Sequence, residues 1–189
     1  MQEKLRVAVV VASTREGRVG GGVGRWFVER AGARTGLDLD VVDLADFAIP
    51  ACYPARPTPA MAGFARRIAA AEAYVVVTPE YNRSFPASLK QAIDCAYDEW
   101  RAKPVGFVSY GYRAAGRYAV EQLRGVFTEL HTATLRDAVC LDLLEGRVAD
   151  GGFRPDPERY AHAVTTLLDE LVWWGLALRD GRRARPYCA

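Results

Sequence analysis

Histidine is nearly missing: His131 and His162 are the only two among 189 residues. With so few, and with no G-x-S-x-G elbow, a Ser-His-Asp hydrolase is not expected. The four cysteines, Cys52, Cys95, Cys140 and Cys188, lie more than forty residues apart and form no C-x-x-C pair. Zinc and iron–sulfur sites need closer ligands, so no metal is expected, and Cys95, on an apolar helical pattern, reads as a small hydrophobe. Charge excess is missing too. The 25 basic and 23 acidic residues leave a net +2, which points to neither nucleic acid nor a membrane surface as partner. No apolar run reaches transmembrane length, and the opening MQEKLR leads into only six apolar residues, too few for a signal peptide. A cytoplasmic protein is therefore expected, with chemistry that does not rest on a side-chain nucleophile. No catalytic side chain is named.

What is present is an alternation of strand and helix patterns over a length suited to one domain, residues 1–189. Val7–Ala12, Ala73–Thr78 and Pro104–Tyr110 are apolar without alternation, as fully buried strands are. Leu37–Leu44 and Ala138–Leu143 add two weaker strand candidates. Helical spacing follows each: Val19, Val23, Trp26, Phe27 and Ala31; then Met61, Phe64 and Ile68; then Leu89, Ile93, Ala96, Tyr97 and Trp100; then Val120, Leu123, Phe127 and Leu130. Asp156-Pro157 caps a last helix through Tyr160, Leu167, Leu171 and Leu178, and a basic, unpatterned tail is expected over about 179–189. Prolines 50, 54, 57 and 59 make residues 45–60 a long connection, more often functional than idle. The pattern predicts an α/β fold with a parallel sheet covered on both faces and a ligand beyond the carboxyl ends of its strands.

Three such ends are polar or rich in glycine. The first, Ser13–Arg18, gathers Ser13, Thr14, Arg15 and Arg18 before a helix that begins near Val19. Uncapped N–H groups and a helix dipole suit an anion there, and two guanidinium forks match a phosphate monoester. No Lys follows the glycines as a P-loop requires, and the glycines never fall into G-x-G-x-x-G. Asp43, at the end of the second strand, leaves a ribose-binding reading open. Two arginines and two hydroxyls in six residues favour a phosphate cradle over an ordinary strand–helix connection. In the second loop, Pro79, Glu80, Tyr81 and Asn82 offer a stiff backbone, an aromatic face and hydrogen bonds, which suit a planar heteroaromatic ligand. A Tyr81 packed on the next helix fits the same residues. In the third, Ser109, Tyr110 and Gly111 let a backbone approach closely.

Taken together, ASTREGRVGGGVGRW, TPEYNRSFPASLKQAID and the SYG followed by AVEQLR resemble the signature stretches of the NAD(P)H-dependent FMN reductase family, over about residues 5–145. The resemblance implies a flavodoxin-like α/β/α sandwich with five parallel strands in the order 2-1-3-4-5. It implies a non-covalent FMN whose phosphate meets Ser13, Thr14, Arg15, Arg18 and the N–H groups of Val19 and Gly20. Pro79, Glu80, Tyr81 and Asn82 would run beside the isoalloxazine, and Ser109, Tyr110 and Gly111 would close its other edge. The implied reaction passes hydride from NADH or NADPH to the flavin and electrons on to a quinone, azo or nitro compound, metal ion or free flavin, in the last case for a partner monooxygenase. A flavodoxin-like carrier and a non-catalytic FMN-binding protein are the alternatives. Family members are commonly dimers or tetramers, with Tyr97, Trp100 and Phe127 as contact candidates, residues that core packing explains equally well. Three positions depart from the family pattern: Ala12 for a usual Gly, Cys95 for a common Trp, and Arg83 where a small residue or His is usual. Arg83 either reaches toward a dinucleotide phosphate or points to solvent.

Overall fold

The computed structural model describes residues 3–144, 147–149 and 152–188. In chain order its elements are β1 (Leu5–Val11), α1 (Gly20–Gly32), β2 (Leu37–Asp43), α2 (Pro59–Ala70), β3 (Ala73–Pro79), α3 (Ala87–Asp94), β4 (Pro104–Gly111), α4 (Arg117–Glu129), β5 (Ala133–Asp142), β6 (Arg147–Ala149), β7 (Gly152–Arg154) and α5 (Pro157–Ala184). Single 3-10 turns lie at Leu44–Asp46 and Asp98–Trp100. Five strands form one parallel sheet in the order β2-β1-β3-β4-β5, as the resemblance implied. β6 and β7 pair antiparallel as a small separate hairpin that the sequence pattern does not announce.

The three apolar runs become the middle of the sheet. β3 and β4 have no exposed residue, and β1 exposes only Arg6. β2, at one edge, alternates, which is why it is the weaker signal. Val9 sits in register between Val41 and Val75, so the carboxyl ends of β1, β2 and β3 finish side by side.

Each face carries its own core. On one, Val7, Val9 and Val11 meet Phe27 of α1 and Leu167 and Leu171 of α5. On the other, Ala8 and Val10 meet Phe64 of α2 and an aromatic group centred on Trp100. The Trp100 ring lies 4.6 Å from Tyr74 and 5.3 Å from Phe127, centroid to centroid, both edge to face. Trp100 and Phe127 are thus core residues, fully buried, and the expectation that they form an oligomer contact is corrected; Tyr97 alone of the three is exposed.

Three boundaries differ from expectation. α3 stops at Asp94, so Tyr97 and Trp100 lie beyond it, and Cys95 is its half-buried C-cap. β5 begins at Ala133, with irregular pairing between Val105 and Phe107 of its neighbour that hides its period. α5 runs to Ala184, and the expected tail from 179 shrinks to its last few residues, of which Ala189 lies outside the described residues. Arg179 is buried because its guanidinium lies 3.8 Å from the buried Glu72 carboxylate.

Candidate active site at the carboxyl edge of the sheet

The first loop leaves β1 at Ala12, whose N–H still reaches Val77 O of β3 at 2.9 Å. α1 begins at Gly20, with no side-chain cap at Val19 and no acidic residue in its first turn. Its first N–H groups are therefore on offer to an outside acceptor. Gly20 is buried, and a Cβ there would fall 2.1 Å from Ser13 Oγ and 2.5 Å from the Tyr110 hydroxyl. The Ser13 hydroxyl is buried and meets no partner at full hydrogen-bond geometry, with the Tyr110 hydroxyl as its polar neighbour. An uncapped helix end, a buried hydroxyl with a lone pair and proton to spare and a glycine that admits no side chain together make a cradle for a compact oxyanion.

Arg18 does not stand free in this loop. Its Nη1 donates to Ser13 O and to Asp43 Oδ1, both at 2.8 Å, and its Nη2 donates to Asp43 Oδ2 at 2.7 Å. That bidentate pair, about four-fifths buried, braces the loop against the end of β2 and raises the Arg18 pKa further through the Asp43 hydrogen bond. Asp43, left open as a ribose ligand by its sequence position, is occupied by this pair and by the Ala45 N–H. Arg15 differs: its guanidinium lies 4.7 Å from the centre of the Tyr81 ring, tying the first loop to the second.

The second loop is a tight hairpin. Tyr81 and Ser84 exchange N–H to carbonyl bonds of 2.8 and 2.9 Å around Asn82 and Arg83, whose φ values are 50° and 65°. Two positive φ values in a two-residue turn define its mirror-image type, which suits asparagine and disfavours arginine. Side chains of α4 hold it in place, since Gln122 Nε2 donates to Arg83 O at 2.9 Å. Glu80 reaches the same helix. Its carboxylate accepts from Tyr118 N at 3.2 Å and supplies the cap that α4 lacks, while Glu80 N donates to Tyr110 O at 2.9 Å. Tyr81 does not pack into the core; it stays half-buried under Arg15.

The third loop is closed by its own contacts. Ser109 Oγ is buried and donates to Ala115 O at 2.9 Å, a bond that closes the loop on itself. Gly116, at φ 83°, lies where a Cβ would sit 2.5 Å from Ser109 Cβ and 2.7 Å from Tyr110 N. Tyr110 is buried with its hydroxyl under the first loop, and burial drives its pKa well above the usual tyrosine range.

Sequence reasoning named the three loops but missed their braces: Asp43 on Arg18, and Tyr118 and Gln122 on the second loop. It also did not see what the proline-rich connection builds. Leu44, Phe47 and Ile49 form one wall of a cleft of about 420 Å³ beside Thr14, with Ser88 and Gln91 of α3 opposite. Among the described residues no cluster of His, Cys, Asp and Glu is arranged to hold a metal.

A doubly wound sheet in this order, with a phosphate-sized cradle at the end of its first strand, defines the flavodoxin-like class. Within that class the chain belongs to the NADPH-dependent FMN reductase family, whose model matches residues 5–143. An NAD(P)H-dependent FMN reductase of Schizosaccharomyces pombe is 30% identical over 166 residues, covering 83% of this chain and 82% of that one. A 2-hydroxy-1,4-benzoquinone reductase of a Burkholderia species is 32% identical over 188 residues, covering 94% and 98%. Among solved structures, FerB, a flavoenzyme NAD(P)H:(acceptor) oxidoreductase of Paracoccus denitrificans, superposes with a TM-score of 0.74 over 92% of this chain and 98% of its own, at 23% identity, a likeness of fold.

Proposed function

We propose that this chain is an FMN-dependent NAD(P)H oxidoreductase that delivers electrons to small-molecule acceptors of the quinone class. The observation that carries the reading is the cradle: a helix end without a cap, a buried Ser13 hydroxyl beside it, and a Gly20 that leaves no room for a Cβ. Ser13, Thr14 and Arg15, with the N–H groups of Val19 and Gly20, hold the FMN phosphate in this reading, and Arg18 orients the loop through Asp43. Pro79, Glu80, Tyr81 and Asn82 form the wall beside the isoalloxazine, with Glu80 acting through its backbone while its carboxylate caps α4. Gly111 and the backbone of Ser109 and Tyr110 form the other edge.

Bound FMN supplies the hydride acceptance and the electron transfer, and the protein supplies position and hydrogen bonds. The hairpin at Tyr81–Ser84 is held by its paired backbone bonds and would flank the ring, and Arg15 over Tyr81 ties that hairpin to the phosphate loop. The same reading includes self-association as a dimer or tetramer, a cytoplasmic setting, and free flavin for a monooxygenase as a further outlet.

The test is an absorption spectrum of the purified protein followed by anaerobic addition of NADPH. Flavin bands that bleach, and NADPH oxidation that then depends on added quinone, are the expected result. Bands that persist would identify an electron carrier served by another reductase, and a colourless protein that takes up no added FMN would end the proposal.

A further inference from the structure

Once the FMN phosphate is assigned to the first loop, a second group of cations at the same end of the sheet has no anion to serve. Arg83, Arg113 and Arg117 lie on the second loop, the third loop and the first turn of α4, and all three are exposed. Among the described residues none of them has a carboxylate within ion-pair distance. Some arginines elsewhere are paired: Arg6 and Arg179 face Glu72, Arg34 faces Asp169, and Arg67 faces Asp40. The one acid of the second loop, Glu80, is turned to the Tyr118 N–H.

Arg83 is the most strongly held of the three. Its backbone sits at φ 65°, where glycine is comfortable and arginine is not. Gln122 fixes its carbonyl, and its guanidinium carbon lies over the Tyr118 ring, 3.8 Å from the centroid. A stacked guanidinium keeps its N–H edges open and its orientation fixed, which is the arrangement that binds a phosphate dianion with two parallel hydrogen bonds.

We propose that Arg83, stacked on Tyr118 and supported by the charges of Arg113 and Arg117, recognises the 2′-phosphate of NADPH and so sets a preference for NADPH over NADH. This rests on the oxidoreductase reading, because it names which hydride donor that site takes. NADPH and NADH differ only by that phosphomonoester, so discrimination requires cations that are otherwise unpaired and lie apart from the FMN phosphate.

The variant to make is Arg83→Gly, because glycine accepts the positive φ and the hairpin keeps its fold. In the FMN-loaded protein, with a saturating quinone, the ratio of kcat/KM for NADPH to that for NADH is expected to fall by about tenfold or more, through KM. Calorimetric titration gives a readout apart from turnover: 2′,5′-ADP should bind the unmodified protein more tightly than 5′-AMP, and Arg83→Gly should close that gap. Arg83→Lys, which keeps charge but loses the fork, should lie between. The proposal is overturned if the ratio is unchanged, if both donors lose equally, or if the two adenosine phosphates bind the unmodified protein alike. A protein that holds no flavin but still separates the two adenosine phosphates would sink the oxidoreductase reading and leave the recognition of the 2′-phosphate standing.

Discussion

Arg15 and Arg18 stand three positions apart and do different work. Arg18 is filled by Asp43 and Ser13 O, so its charge is largely balanced and its role is to hold the loop. Arg15 meets no acid among the described residues and lies on Tyr81, free to add charge to an incoming phosphate. Arg15→Ala should therefore weaken FMN binding by about 1–3 kcal/mol, the scale of a charge-assisted contact, while leaving the melting temperature nearly unchanged. Arg18→Ala should lower both, because it strands a largely buried Asp43 carboxylate. Fluorescence titration of FMN alongside thermal melts separates the two; equal behaviour would mean the division of roles is wrong. The sequence showed both arginines but not the division, because Asp43 is 25 residues from Arg18. Only the register that sets Val11 beside Asp43 brings the pair together. Glu80 and Ser109 were legible as loop residues for the same reason that their bonds were not: composition marks a loop, while its internal hydrogen bonds depend on where α4 arrives.

Elements were legible in proportion to how completely they are buried. β1, β3 and β4 could be read from continuous apolar runs, and their alternation with helices gave the layered sheet. The strand order and the hairpin of β6 and β7 are another matter; the first came from the resemblance and the second from neither source. Tyr97 and Trp100 continue the helical spacing of α3, yet the chain leaves the helix at Cys95. Trp100 instead returns to the core through a 3-10 turn, with its Nε1 donating to Ile93 O at 3.1 Å. α4 shows how one element's start is set by another's loop. Its N-cap is Gly116 at φ 83°, wedged against Ser109 and Tyr110, and the Tyr118 N–H of its first turn looks to Glu80. Gly116→Ala would place a Cβ 2.7 Å from backbone, in a conformation that L-residues avoid. A loss on the order of 2 kcal/mol or more in urea unfolding is expected, together with weaker flavin binding. A variant as stable as the parent would show that the third loop is looser than described.

At the scale of the whole molecule, the end of the sheet opposite the site is held by charge. Glu72 is buried between Arg6 and Arg179, Arg183 reaches Glu3, and Lys103 Nζ donates to the carbonyls of Ile68 and Ala69 that end α2. Burial, and then the nearby Arg182, bring the Lys103 pKa from 10.5 down to about 8. Below that pH both folded and unfolded chains hold the proton, and the fold carries the cost of a buried ammonium. Between pH 8 and 10.5 the unfolded chain keeps a proton that the folded chain has released, so stability rises with pH. Measured against Lys103→Met, the native chain should gain up to about 3 kcal/mol across that window, by urea unfolding at stepped pH. A flat difference would mean that Lys103 is better solvated than its burial indicates. The placing of α5 also bears on the order in which the chain is made. β1 emerges from the ribosome first and ends in the middle of the sheet, but the helix that finishes covering Val7, Val9 and Val11 comes last. The face built on Phe64, Trp100 and Phe127 can close once α4 is out, whereas the α1 face must wait for Leu167 and Leu171. During synthesis the molecule is therefore lopsided, sealed on one side and greasy on the other, and it is the α1 side that a nascent-chain chaperone would meet.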